Sequence, residues 1–268
     1  MKRLLVAFFL LAALVVVSDP SKIKASTPVP LAAAERAVVT KMVTPAVSAK
    51  AYTVFDVTTG EILLSKDADE ELPIASVTKL FTAAAALELS PDEEVVVSAA
   101  DVATEGRAGK LKAGDEYSVH ELLFPLLLES SNDAAAALSR VTGPIAVGSH
   151  SLADTSGLSD ANIASARELA TAVRELYFTK PHLFDITKLS QKVGEYTGWI
   201  NNSPVRDLPG YQGGKHGYTV AAGRTLAAIF SEDALQGRTV GYIVLGSDDV
   251  RSDVELLRAS VEEAVRLQ

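Results

Sequence analysis

The chain has 268 residues, enough for one large core, and 48% of them are apolar, which excludes a disordered polypeptide. A formal net charge of −9 argues against a basic, phosphate-binding surface for nucleic acid. There is no cysteine, so disulfides, thiol nucleophiles and cysteine metal sites are excluded, and the four histidines (His120, His150, His182, His216) form no HExxH pair.

Lys2 and Arg3 precede an uncharged apolar run from Leu4 to Val17. That length suits the core of a signal peptide and falls short of the roughly 20 residues that span a bilayer. Residues 1–18 are therefore expected to be a signal peptide or N-terminal anchor, with the protein exported and any membrane contact made through this segment alone. Pro20, Pro28, Pro30 and Pro45 mark residues 19–47 as a linker, and residues 48–268 are expected to form one domain.

Two β-rich runs flank Thr58-Thr59-Gly60, a hairpin signal. A helix is predicted over about 76–89, almost entirely Ala, Leu and Phe, yet it opens with Ser76 and Lys79. Residues three apart share a helix face. Ser76 would meet the unpaired N–H groups of the helix start, and Lys79 would lie one turn in, among Leu80, Phe81 and the alanines. Burying an ammonium costs several kcal/mol unless it is paired or gives up its proton. Alone, the pair also reads as a capping serine and a lysine reaching out to water.

Ser118 and Glu121 have capping-box spacing and open a helix running to about Leu128. The polar break Glu129-Ser130-Ser131-Asn132-Asp133 starts the next helix, and Ser130 and Asn132 alone are ordinary helix terminators. Further helix is expected over 165–178, strand over 213–230 and 237–247, and an amphipathic helix from Val250. Lys215 would project from a sheet edge, and Gly217 would let another chain approach its backbone. Strands at both ends with helices between predict an α+β fold, an antiparallel sheet flanked by helices.

Ser-x-x-Lys, Ser-x-Asn and Lys-x-Gly, in that order, form the signature of penicillin-binding proteins and class A β-lactamases. From about Ala51 onward the chain resembles serine-type D-alanyl-D-alanine carboxypeptidases, the low-molecular-mass penicillin-binding proteins. The segments "DTSGLSDANIASARELA" and "KHGYTVAAGRTL" share in the likeness. The resemblance implies a β-lactamase/DD-peptidase-like fold with an all-helical region. It also implies removal of terminal D-alanine from peptidoglycan stem pentapeptides outside the cytoplasmic membrane, with β-lactams as covalent inhibitors and no cofactor or metal. Carried over residue by residue, Ser76 is the nucleophile, Lys79 its base and Ser130 the proton relay to the leaving amine. Asn132 would hold the substrate backbone or orient Lys79, and Lys215 would supply the positive field for the substrate carboxylate beside Gly217. The backbone N–H groups of Ser76 and Tyr218 would form the oxyanion hole. His216 replaces the family's usual Thr or Ser and is expected to touch the substrate carboxylate itself. A class A-type β-lactamase would need a loop Glu to activate water, but the candidate Glu168 reads as helical. A catalytically weak wall-binding protein of the same fold is the third reading.

Overall fold

A computed structural model describes residues 45–106 and 109–266, without the side chains of residues 265 and 266. The expected leader and most of the expected linker lie outside the described residues. A five-stranded sheet organises the rest: β1 (Ala51–Asp56), β2 (Ile62–Lys66), β3 (Tyr211–Thr219), β4 (Gly223–Glu232) and β5 (Arg238–Ser247), in the order β3-β4-β5-β1-β2. Every pairing is antiparallel. All six residues of β1 are buried, because both faces of the sheet are covered. Tyr52 and Val54 join Leu226, Phe230, Tyr242 and Val244 in one core, packed against Val254 and Leu257 of the C-terminal helix α6 (Val250–Arg266). Phe55, Ala227, Ile243 and Leu245 face a second, larger core shared with the remaining helices.

Those helices are α1 (Thr78–Ala86), α2 (Val119–Phe124), α3 (Asn132–Thr142), α4 (Ala166–Thr179) and α5 (Pro181–Lys188). Four two-stranded ribbons connect them, among them Glu71–Pro73 with Ile163–Ser165 and Gln191–Val193 with Gly198–Ile200. The capping boxes at Ser118–Glu121 and Ser165–Glu168 are both formed, each satisfying two backbone donors. No helix among the described residues is long and apolar enough to cross a membrane.

Four local features depart from the sequence reading: first, the strand expected over 213–230 is broken by a turn at 220–222 into the hairpin of β3 and β4. The helix expected over 76–89 begins as a 3-10 turn, Ala75–Val77, and its α segment ends at Ala86. The helix from Val119 widens into a π turn, Pro125–Glu129, where proline lacks the N–H that an α-helix would use. Helix α5, which the sequence reading left unassigned, lies along edge strand β3, where Thr187 Oγ1 accepts from Gly214 N at 2.9 Å.

Candidate active site

The ribbon strand Glu71–Pro73 delivers the chain to Ala75, whose φ of 47° lies in the left-handed region that side chains rarely adopt. This sharp corner leads into the 3-10 turn that carries Ser76. One turn on, Lys79 Nζ donates to Ser76 Oγ at 3.0 Å. The Lys79 side chain is fully buried, as its helix predicts. Its end, however, is in polar company: Nζ also donates to Asn132 Oδ1 at 2.8 Å and to the Ser156 carbonyl at 2.6 Å. The greasy surroundings expected from Leu80, Phe81 and the alanines thus account for only half of the environment. Desolvation acts against the ammonium, while these acceptors act for it.

Asn132, the first residue of α3, is held from its other side, since Nδ2 donates to the Glu105 carbonyl at 2.7 Å. Ser130 ends the π turn in a left-handed conformation, φ 64°, which turns the chain sharply between α2 and α3. Lys215 and Gly217 sit on edge strand β3. A Cβ on Gly217 would stand 2.4 Å from Ser76 N and 2.9 Å from Ala75 Cβ, so the expected close approach is to the backbone of Ser76 itself. Lys215 is buried and donates to the His216 carbonyl at 2.8 Å.

Ser76, Ser130, Asn132, His216, Gly217 and Tyr218, together with Gly106, Gly157, Leu158 and Thr219, line a cavity of about 220 Å³, while the buried Lys79 and Lys215 stand behind this lining. Sequence positions from 76 to 219 therefore converge on one opening. A larger hollow of about 420 Å³, between α6 and the start of the β4–β5 connection, contains none of the motif residues. Among the described residues no group of three or more His, Cys, Asp or Glu side chains could hold a metal ion.

Sequence reasoning missed the groups that brace the corner. Asp154 accepts from the N–H groups of Ser156 (2.6 Å), Gly157 (2.5 Å) and Ser159 (2.6 Å) and from Ser156 Oγ (2.8 Å). Burial alone would push its carboxyl up, but these donors outweigh burial and hold it below the usual carboxylate range. The turn so fixed presents the Ser156 carbonyl to Lys79 and lays Gly157 against Ala75, where an added Cβ would be 1.9 Å from the carbonyl oxygen. Asn162 joins the same turn to α1, donating to Thr78 Oγ1 at 3.1 Å and to the Asp154 carbonyl at 2.9 Å. Thr225 Oγ1 on β4 donates to the Ile74 carbonyl at 2.9 Å. The run of Asp, Ser, Gly and Asn from 154 to 162 is the one available signal, because such residues form side-chain-stabilised turns.

The family profile described as D-alanyl-D-alanine carboxypeptidase matches residues 38–149. The chain is 30% identical over 223 residues to a D-alanyl-D-alanine endopeptidase of Haemophilus influenzae, covering 74% of this chain and 76% of that protein. Among solved structures, a D-alanyl-D-alanine carboxypeptidase of Mycobacterium tuberculosis superposes with a TM-score of 0.71 at 24% identity, covering 82% of this chain and 95% of that one. Penicillin-binding protein D2 of Listeria monocytogenes, in its cefotaxime-bound form, gives 0.67 at 24% identity, covering 83% and 99%. The solved structures agree on the fold, and the match to the Haemophilus protein covers more of the chain than the family profile does. The chain therefore belongs to the D-alanyl-D-alanine carboxypeptidase family of serine peptidases.

Proposed function

We propose that this protein is a D,D-carboxypeptidase that removes the terminal D-alanine from peptidoglycan stem pentapeptides through an acyl-enzyme on Ser76, outside the cytoplasmic membrane. The observation that carries the reading is the hydrogen-bonded chain Ser76–Lys79–Asn132 at the wall of the cavity. With Lys79 uncharged, the 3.0 Å contact runs the other way: Oγ–H donates, Nζ takes the proton, and Oγ adds to the carbonyl of the penultimate D-alanine. The oxyanion would form beside the N–H groups of Ser76 and Tyr218, where one such donor is typically worth about 10²–10³ in rate. Ser130 passes a proton to the departing amine, the C–N bond breaks, and D-alanine leaves. Water then hydrolyses the ester and restores Ser76. Lys215 and His216 bind the terminal carboxylate, and Gly217 keeps the strand close to the nucleophile. A β-lactam would acylate Ser76 by the same attack.

The name of the Haemophilus relative supports a second reading, cleavage of a cross-link whose leaving amine belongs to another stem peptide. β-Lactamase activity of the class A kind has less support. Glu168 sits inside a capping box, accepting from Ser165 N at 3.0 Å, with its other oxygen 3.2 Å from His150 Nε2. The test is intact mass after incubation with a labelled penicillin. A stoichiometric adduct is expected on the parent and none on Ser76→Ala; an adduct that survives the substitution overturns the assignment. Release of D-alanine from a pentapeptide, against release of a stem peptide from a cross-linked dimer, then separates the two peptidase readings.

A further inference from the structure

Two histidines that the active site does not use face each other on the surface. His120 on α2 and His182 on α5 bring their Nε2 atoms to 3.0 Å, with ring planes 17° apart and centroids 5.2 Å apart. In the metal-free protein one ring donates and the other accepts, a single hydrogen bond between two helices. The same two atoms are the usual donors of imidazole to a divalent transition metal. Adjacent ligands on such an ion, with bonds near 2.05 Å, lie about 2.9 Å apart at a right angle and about 3.4 Å apart at the tetrahedral angle. The observed separation already falls within the span that two ligands of one ion occupy.

We propose that His120 and His182 form a two-histidine site for a divalent transition metal that bridges α2 and α5, its remaining positions filled by water. The rings now meet nearly head-on, so entry of the ion replaces the hydrogen bond and turns both rings until their lone pairs converge. The second side-chain torsion of histidine is broad, and His182 is exposed whereas His120 is half-buried edge-on to the Phe124 ring, so most of the rotation falls to His182. The carboxylates of Glu121 and Asp92 attract a cation to the place, whereas Lys192, over the Phe124 ring, repels one. The position gives the bridge a consequence. Helix α2 runs through the π turn to Ser130, and α5 lies against β3, which carries Lys215. A bound ion ties together the supports of the second and third motifs.

Calorimetric titration of the untagged protein with Ni²⁺ alone tests the site. One ion per chain is expected, with affinity falling at least tenfold in His120→Gln and in His182→Gln. The double variant should bind no more tightly than either single one, and His150→Gln should match the parent. Ni²⁺ should also raise the parent's Tm and leave the variants' unchanged. Equal affinity in parent and variants, loss in only one of the two, or no binding at millimolar Ni²⁺ overturns the proposal. Should a variant not fold, the parent labelled at histidine nitrogen decides: with Zn²⁺ as the diamagnetic probe, the Nε2 resonances of both residues must move together. None of these readouts depends on Ser76.

Discussion

Replacing Gly157 by alanine tests whether the turn after Asp154 fixes the backbone of the nucleophile. At φ 81° the new side chain is strained by about 1–2 kcal/mol. Its Cβ would also stand 1.9 Å from the Ala75 carbonyl oxygen and 2.9 Å from Ser76 N, so two backbones must part by more than about 1 Å. Overpacking of this kind costs about 1–3 kcal/mol, for a total of about 2–5 kcal/mol. A shift of that size at a reacting atom can lower the rate about 10²-fold. Gly114 is the control: its φ is 94°, and a Cβ there meets nothing within 4 Å, so Gly114→Ala feels only the backbone strain. Urea unfolding measures stability, and the rate of acylation by a labelled penicillin measures the placement of Ser76. Gly157→Ala should lose more stability than Gly114→Ala and acylate about 10²-fold more slowly, while Gly114→Ala acylates like the parent. Equal stability losses in the two variants, with Gly157→Ala acylating within about threefold of the parent, would refute the argument.

His216→Thr restores the hydroxyl that the family usually carries. If the imidazole contacts the substrate carboxylate, the parent's KM falls as the pH is lowered through the histidine range, near 6.5, and the variant's does not; superimposable kcat/KM profiles remove His216 from the carboxylate site. Asp154→Asn should destabilise the protein at pH 7 by roughly 1–3 kcal/mol, because the bonds to Oδ1 become neutral and the Ser159 N–H, now facing an amide NH2, loses its acceptor. The sign follows from the depressed folded value of Asp154: its stabilisation is present above the unfolded carboxylate range, about 3.9, and is lost as the pH falls through the folded value. Parent and variant stabilities measured by denaturant should therefore converge below about pH 4, and a gap that stays constant to pH 3 would contradict this.

The parts of the fold written in local chemistry were legible. The β1–β2 hairpin follows from Thr59-Gly60 between apolar runs, and the capping serine Ser118 is followed three residues later by Glu121; Ser165 and Glu168 have the same spacing, a signal that sequence reasoning missed. The convergence of Ser76, Lys79 and Asn132 was legible as well, since the motifs consist of particular side chains. What stayed hidden is carried by backbone and by distant contact. The acceptor nearest Lys79 is the carbonyl of Ser156, a group that every residue possesses. The 3-10 turn at Ser76 follows from the left-handed Ala75, and no property of alanine announces that conformation. Helix α5 did carry a signal, Pro181 at its first position, but its eight residues are too few for periodicity to stand out.

Ala75 shows why those hidden contacts matter. A non-glycine residue at φ 47° costs about 1–2 kcal/mol and persists only where its surroundings over-determine it. Three separate segments do so here. Gly157 abuts its carbonyl, Gly217 runs against its Cβ and the N–H of Ser76, and Thr225 binds the carbonyl of Ile74 just before it. Each contact uses a residue without bulk or one with a single hydroxyl, so none can be enlarged without moving the corner. Ser76 is thereby held by strand β3, strand β4 and the 154–159 turn at once, and Lys79 is bound to the same turn through the Ser156 carbonyl. Ser76 and Lys79, the proposed nucleophile and base, then share one rigid frame, so their 3.0 Å separation is set before any substrate arrives.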